Sequence, residues 1–377
     1  MSLRNTHTRG WLCGPHRPAK LPLARLSLSM KNFLLYGATG YTGELLAREA
    51  ARRGLHPVLA GRDPAKVGAL AAELDLPWRA FALDDQALLD AALREVSCVR
   101  HCAGPFARTA APMAAACLRT GRHYLDITGE IDVFEALARQ DEAARAAGIM
   151  LLPGVGFDVV PSDCLARHLK DRLPTANRLT LAFRGLGAGI SHGTQATMLL
   201  NAGTGGTVRR NGALIAVPAG WRSRHIDFGT GPKLAVTIPW GDVSTAYYST
   251  GIPDVEVFMA IPRAGLTMLR ASRYLGRVLG SGPVQGFLHR RIPAGGPDAT
   301  QRAQGRSQLY GEASDPAGNK VVSRLFGPEG YTLTVLAALH ITEKVLRGDW
   351  QPGFQTPAKC YGAGLALELP GVRRVDE

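Results

Sequence analysis

The sequence predicts an α/β fold: an N-terminal doubly wound parallel sheet, then a second α+β domain and a returning C-terminal helix. Three observations carry this expectation. Short apolar runs alternate with helical segments from residue 33 to residue 153. A glycine-rich turn, Gly37-Ala38-Thr39-Gly40-Tyr41-Thr42-Gly43, joins the first run to the first helix. After Gly154-Val155-Gly156-Phe157-Asp158 the alternation stops and shorter β-like segments follow. The expected boundaries are 1–29 for a disordered or spurious extension, 30–160 for the parallel sheet, 161–330 for the second domain and 331–377 for the closing helix and tail.

The elements follow in order. Residues 33–36, Phe-Leu-Leu-Tyr, suit a buried parallel strand, and residues 44–53 have helical spacing. The turn between them has the order that a Rossmann nucleotide site needs. Gly37 permits the tight turn, Gly40 lets backbone approach a pyrophosphate, and Gly43 lets helix pack on strand. The phosphates then meet N–H groups at the helix N-terminus. Ala38, Thr39, Tyr41 and Thr42 complete the cradle. A second strand, 57–60, ends in Gly61-Arg62, where an NAD site usually carries a carboxylate. A guanidinium at Arg62 can pair with a 2′-phosphate, with Lys66 one helical turn on, so NADP(H) is the expected cofactor. The alternative for Arg62 is a solvent-facing cap beside Asp63.

A third strand, 79–83, ends at Asp84-Asp85, where Asp84 can meet the adenine amino group. A fourth, 96–102, ends in Ala103-Gly104-Pro105-Phe106, small residues that admit backbone to the nicotinamide ribose. Helix 110–120 leads to a fifth strand, 123–127, and helix 133–147 to a sixth, 149–153. The strand order expected is 3-2-1-4-5-6, with the ligand crevice at the C-terminal strand ends. Proton donors are sought there. Asp126, His123 and Tyr124 are the first candidates, although Asp126 can equally cap the following turn with Thr128. Asp158 is read first as an N-cap ahead of Pro161, and second as an acid. His101 reads as a packed core histidine, and His192 as a loop residue able to reach substrate.

Beyond helix 161–171, strands are expected at 178–183, 234–238 and 255–260, with a hairpin of 308–312 and 321–325 around Asp315-Pro316-Ala317-Gly318-Asn319. Its sheet carries the substrate pocket or a homodimer contact. Residues 264–291 form a basic amphipathic helical stretch that packs on its own domain, covers the crevice, or rests on a membrane surface or an acyl carrier. Residues 331–346 close the fold as a helix.

Composition narrows the function. The 377 residues suffice for two cores; 46% are apolar and 20% charged, which excludes a disordered chain. No apolar run approaches the roughly 18–20 residues of a membrane-spanning helix. The net charge is +13, but Arg4, Arg9, Arg17, Lys20 and Arg25 fall in residues 1–29, which hold no carboxylate. That segment reads as a disordered tail or an over-long start before Met30, ahead of a transit peptide. Elsewhere Lys and Arg are scattered without interleaved aromatics, so no nucleic-acid groove is expected; a basic face suits an anionic cofactor or substrate. The six cysteines form no C-x-x-C pair, so no metal site is expected, and a reducing, cytoplasmic setting fits. No G-x-S-x-G elbow or catalytic carboxylate pair is present, which argues against a hydrolase.

Several segments together resemble the saccharopine dehydrogenase-like oxidoreductases, including their trans-acting enoyl reductase branch. They are GATGYTG at 37–43, AGR at 60–62, AGPF at 103–106, HYLDITGE at 123–130, GVGFDVVPSD at 154–163, SHGTQATM at 191–198, WGDVSTAYYSTGIP at 240–253 and GPEGYTLT at 327–334. The resemblance implies two domains, NADP(H) binding, and hydride transfer to a C=N or C=C bond of an acyl or amino-acid-derived small molecule. A tricarboxylate such as saccharopine needs convergent cations, for which Arg184, Arg209, Arg210, Arg222 and Arg224 are the candidates. The competing expectation is a non-catalytic NADP(H)-binding scaffold or lipid-associated interaction protein.

Overall fold

The structure, a computed structural model, describes residues 32–187, 189, 191–193, 195, 205–279, 281–291 and 295–377. The expectations for residues 1–29, and for residues 194 and 196–198 of the SHGTQATM segment, lie outside the described residues.

The first layer alternates strand and helix: β1 (Phe33–Tyr36), α1 (Tyr41–Arg52), β2 (Val58–Gly61), α2 (Pro64–Leu74), β3 (Trp78–Ala80), α3 (Gln86–Arg94), β4 (Cys98–His101), α4 (Phe106–Thr120), β5 (His123–Asp126), α5 (Ile131–Ala138), α6 (Asp141–Ala146) and β6 (Met150–Leu152). All six strands pair in parallel in the order 3-2-1-4-5-6. Leu34, Leu35, Leu59, Val99, Leu125 and Leu151 are sealed from solvent, because helices cover both faces of such a sheet. The expected helix 133–147 is two helices. It breaks at Arg139-Gln140, and Asp141 then accepts the N–H of Phe354 at 2.7 Å.

The second layer contains α7 (Val160–Arg172), β7 (Arg178–Leu186), β8 (Gly206–Arg210), β9 (Ala213–Val217), β10 (Ser223–Asp227), β11 (Pro232–Thr237), α8 (Asp242–Thr250) and β12 (Asp254–Ala260). There follow α9 (Arg263–Leu279), α10 (Gly282–His289), α11 (Ala299–Gln304), β13 (Arg306–Ser314), β14 (Lys320–Pro328), α12 (Gly330–Leu346), β15 (Gly353–Phe354), α13 (Pro357–Tyr361) and β16 (Arg373–Asp376). Nine of these strands form a mixed sheet in which β7 lies between β12 and β13. The basic stretch 264–291 is two helices, with Pro283 in the first turn of the second, where its missing N–H costs nothing. Met268, Tyr274 and Phe287 are exposed there, so this stretch does not bury its whole apolar side.

The two layers share one core. Alternation along the second sheet turns Leu179, Leu181, Val255, Val257, Leu309 and Ala313 toward it, where they join Leu165 and Leu169 of α7 and Leu35 and Leu125 of the parallel sheet. Gly311 is part of the fit, since a Cβ there would lie 2.6 Å from the Leu169 side chain. Across the parallel sheet, α12 is pinned by Arg100 of β4, whose buried guanidinium donates to Ala338 O at 2.6 Å and to Thr342 Oγ1. Finally β15 returns to pair with β6 as a seventh parallel strand, which the sequence reading did not anticipate.

Candidate functional site

The glycine turn owes its shape to contacts that no larger residue permits. Gly37 has φ +85°, and a Cβ on it would lie 2.7 Å from Ala103 N, so the first turn touches the β4–α4 loop. A Cβ on Gly43 would lie 2.1 Å from Gly37 O, which fixes how closely α1 packs on the turn. The N–H groups of Gly37 and Ala38 both donate to Ala60 O, tying the turn to β2. Gly40, the N-cap of α1, brings no side-chain acceptor to the helix N-terminus. A Cβ there would meet only Gly37 O at 3.4 Å, so its outer side is open. Unpaired N–H groups facing an open side are what a pyrophosphate requires, and the cradle fits a dinucleotide.

Tyr41, the first residue of α1, reaches across to the second layer. Its hydroxyl donates to Pro297 O at 2.5 Å and accepts from Arg302 Nη1 at 3.0 Å. Its ring stands edge-on to Tyr331 with centroids 5.0 Å apart and leaves no room for a side chain at Gly296. Thr42 is half-buried on the same turn, and Thr39 Oγ1 lies beside Gly61.

At the end of β2, Arg62 is exposed and belongs to none of the ion pairs among the described residues. The neighbouring carboxylate is engaged elsewhere: Asp63 caps α2 by accepting from the N–H groups of Ala65 and Lys66 at 3.1 and 3.2 Å. Lys66 is exposed, with Nζ 3.7 Å from Asp63. At the next strand end Asp84 is exposed, while Asp85 caps α3 through the Leu88 N–H at 3.0 Å.

The β4–α4 loop, Ala103 to Phe106, sits between Gly37 and the β5–α5 loop. Thr109 Oγ1 donates to Ala103 O at 2.6 Å, and Gly104 has no neighbour nearer than the Phe106 ring, 3.8 Å from its Cβ position. The first N–H groups of α4, Phe106 and Ala107, donate to the Glu130 carboxylate at 2.9 and 2.8 Å. Burial pushes the Glu130 carboxyl up, and those two hydrogen bonds pull it back.

The proton-donor candidates separate sharply. His123 is the first residue of β5, at the strand end opposite the crevice, so its expected catalytic place is corrected. Its Nδ1 accepts the Met150 N–H at 3.1 Å, its ring lies against Trp350, and burial pushes its pKa down to about 4. Tyr124 is sealed in the interior and donates to Asp126 Oδ2 at 2.6 Å. Asp126 ends β5 at the right place but is fully buried. Besides the Tyr124 hydroxyl it accepts the N–H groups of Thr128 and Gly154, each at 2.9 Å, so it staples the β5 and β6 loops together. Burial pushes it up to about 6 against these hydrogen bonds. Neither Asp126 nor Tyr124 presents a surface to a ligand, which sets both aside as direct donors. His101 packs among the rings of Tyr36, Phe106 and Tyr124 with both nitrogens unpaired. His192 N–H donates to Gly295 O at 2.8 Å.

Asp158 emerges instead. The N-cap of α7 is Val159, with no side-chain cap, so Asp158 is not spent on the helix. Its carboxylate lies on the β6–α7 turn, where a Cβ on Gly129 would come 2.9 Å from Oδ2, and Trp240 Nε1 donates to its main-chain oxygen at 2.8 Å. Phe157 and Trp240 flank it, joined through Phe183 with centroids 6.1 and 4.7 Å apart. Burial pushes the carboxyl up to about 7. Trp240, on no predicted element, and Gly129 were missed as site residues; the quoted WGDVSTAYYSTGIP and HYLDITGE segments were the signal that held them.

The candidate arginines do not converge on the crevice. Arg209 pairs with Glu135 at 2.6 Å and lies over Tyr247. Arg210 and Arg222 share Glu256, and Arg224 pairs with Glu312 at 3.1 Å. These last three line a groove of about 410 Å³ with Arg178, Thr180 and Ser314. Thr180, Glu256 and Glu312 alternate with the core residues of their strands, so the groove is on the sheet face turned away from α7. Among the described residues no His, Cys, Asp and Glu cluster could hold a metal ion, and no helix is long and apolar enough to cross a membrane.

Comparison with known proteins agrees with the geometry. Residues 33–152 match the saccharopine dehydrogenase NADP binding domain. A trans-acting enoyl reductase of Mycobacterium ulcerans is 31% identical over 147 residues, 37% of this chain and 35% of that protein. A putative trans-acting enoyl reductase of Mycobacterium tuberculosis is 33% identical over 184 residues, 45% of this chain and 43% of that protein. The matched stretch thus spans less than half the length of these relatives. Apo saccharopine dehydrogenase (L-Glu forming) from Saccharomyces cerevisiae superposes with a TM-score of 0.63 over 92% of this chain and 99% of that chain, at 11% identity, a likeness of fold. Residues 33–152 therefore match the NADP binding domain of the saccharopine dehydrogenase type, on a chain whose fold as a whole is like that of the yeast saccharopine dehydrogenase.

Proposed function

We propose that the chain is an NADP(H)-dependent oxidoreductase that transfers hydride to a C=C or C=N bond of an apolar small molecule. The observation that carries this reading is the glycine cradle, open at Gly40, on the same crevice edge as the unspent Asp158 carboxylate. Bound NADPH supplies the hydride; the protein supplies position, a dry wall and a proton. Gly37, Ala38, Thr39, Gly40, Tyr41, Thr42 and Gly43 hold the pyrophosphate. Arg62 and Lys66 meet the 2′-phosphate, Asp84 lies on the adenine side, and Ala103, Gly104, Pro105 and Phe106 back the nicotinamide ribose. The aromatic side chains of Phe157, Phe183 and Trp240, and the engagement of Arg209, Arg210, Arg222 and Arg224 by carboxylates, favour an apolar enoyl chain over a tricarboxylate adduct. The name of the mycobacterial relatives points the same way.

Nicotinamide fluorescence titrations with NADPH and NADH test the reading. Arg62→Ala is expected to weaken NADPH by at least about tenfold and to leave NADH unchanged, as loss of one charge-assisted phosphate contact predicts. NADPH oxidation is then followed with medium-chain 2-enoyl thioesters and with cyclic imines. Failure of both cofactors to bind would overturn the oxidoreductase reading.

A further inference from the structure

We propose that Asp158 is the proton donor of the reduction, its carboxyl facing the nicotinamide end of the crevice; this rests on the cofactor reading above. Hydride arriving at one atom of the C=C or C=N bond leaves an electron pair on the other. The Asp158 O–H bond breaks to protonate that atom, leaving the carboxylate, which regains its proton from water. The oxidised cofactor and the reduced substrate complete the balance.

Position is the first argument. Parallel α/β sheets place ligands outside the C-terminal strand ends, and the nicotinamide half of a dinucleotide falls on the strand 4–6 side. Asp158 follows β6 there and touches the β5–α5 loop at Gly129. Its main chain is fixed by Trp240 Nε1, and its carboxyl Oδ2 lies 2.9 Å from the Cβ position of Gly129.

Elimination is the second argument. The acidic groups packed nearest to it are engaged in hydrogen bonds or sealed from solvent. Glu130 holds the N-terminus of α4. Asp242 accepts from Ser162 Oγ at 2.8 Å through Oδ1 and, although its Oδ2 has no partner among the described residues, it is only 1% exposed; Asp163 accepts from Ser249 Oγ and from the Ala358 N–H. Glu329 caps α12 through the N–H groups of Tyr331 and Thr332, and the Tyr331 hydroxyl accepts the Ser191 N–H. Asp126 is engaged by three donors and buried. Among the described residues, Asp158 alone in this set has a carboxyl that accepts no hydrogen bond, and it stays half-buried. An acid in this position must be protonated near neutral pH, and burial holds its carboxyl at about 7.

The test reads binding rather than turnover. NADP+ carries a positive nicotinamide ring that NADPH lacks, so it binds better when Asp158 is ionised. The ratio of the NADP+ and NADPH dissociation constants is measured from pH 5.5 to 8.5, which cancels the titration of the shared 2′-phosphate. In the wild-type protein NADP+ is expected to gain at least about tenfold over NADPH as pH rises through about 7, the size expected of one nearby charge. Asp158→Asn should flatten the ratio while leaving NADPH affinity within about twofold, and Asp158→Glu should restore the slope. A ratio that is flat in the wild-type protein, or a slope that survives in Asp158→Asn, overturns the assignment and leaves the cofactor reading standing. Failure of both cofactors to bind overturns both. Should Asp158→Asn not fold, the wild-type slope and Asp158→Ala decide the question in the same way.

Discussion

At the scale of single residues, the glycine turn is a matter of a few tenths of an ångström. Gly43 is the sharpest case, because its Cβ position is 2.1 Å from Gly37 O and neither backbone can yield without moving a strand or a helix. Gly43→Ala is expected to cost about 1–3 kcal/mol of stability, read as a lower urea midpoint, and to weaken NADPH by more than about tenfold. These positions were legible in the sequence because the steric demand leaves only glycine. The proton donor was not. Asp126 ends β5, Asp158 follows β6 and Asp163 lies in the first turn of α7, and only the surroundings distinguish a staple, a free acid and a buried anchor. The reading of Asp158 as an N-cap failed because Val159 takes that position. His123 misled in another way, through its nearness in sequence to Asp126. A four-residue strand separates its two ends by some 10 Å, at roughly 3.3 Å per residue, and His123 lies at the wrong one.

At the scale of elements, the parallel sheet was readable almost strand by strand, since each buried strand is a short apolar run bounded by turn residues. The second sheet was harder. Half-exposed strands such as β9 and β10 carry weak alternation, and their partners are distant in sequence. One local signal was available: Asn211-Gly212 has φ +48° and +78°, the turn that closes the β8–β9 hairpin. The start of α4 shows how one element serves another. Its first residues, Phe106 and Ala107, have their N–H groups capped from the β5–α5 loop by Glu130, which ties the β4–α4 and β5–α5 loops together. Glu130→Ala is expected to lower stability by about 1–2 kcal/mol, with Glu130→Gln in between, as thermal melts would show. A melting temperature unchanged in both variants would remove the cap from the account.

At the scale of the whole molecule, buried ionisable groups shape the response to acid. His101 is sealed among aromatic rings, and burial pushes its pKa down to about 3. Below about pH 6.5 the unfolded chain takes a proton that the folded chain refuses. Stability is therefore full above 6.5 and falls with pH, by about 2 kcal/mol at pH 5. Asp126 and Asp163, each pushed up to about 6, act in the opposite sense. Folded, they keep protons that the unfolded chain has lost above about pH 4, so their contribution declines as pH rises through 6. His101→Phe isolates the first effect: its stability difference between pH 7 and pH 5, from urea titrations, should be about 2 kcal/mol less acid-sensitive than wild type.

The seventh strand has a consequence for how this molecule is made. β15 completes the nucleotide-binding sheet by pairing with β6, yet residues 153–352 intervene. On the ribosome, the edge of β6 therefore stands bare while the entire second layer is being synthesised, and Asp141 waits as long for the Phe354 N–H. An edge left open for that interval invites pairing with another nascent chain. The cofactor domain is thus first in sequence and among the last parts to be finished, and its early edge is where a chaperone would have the most to protect.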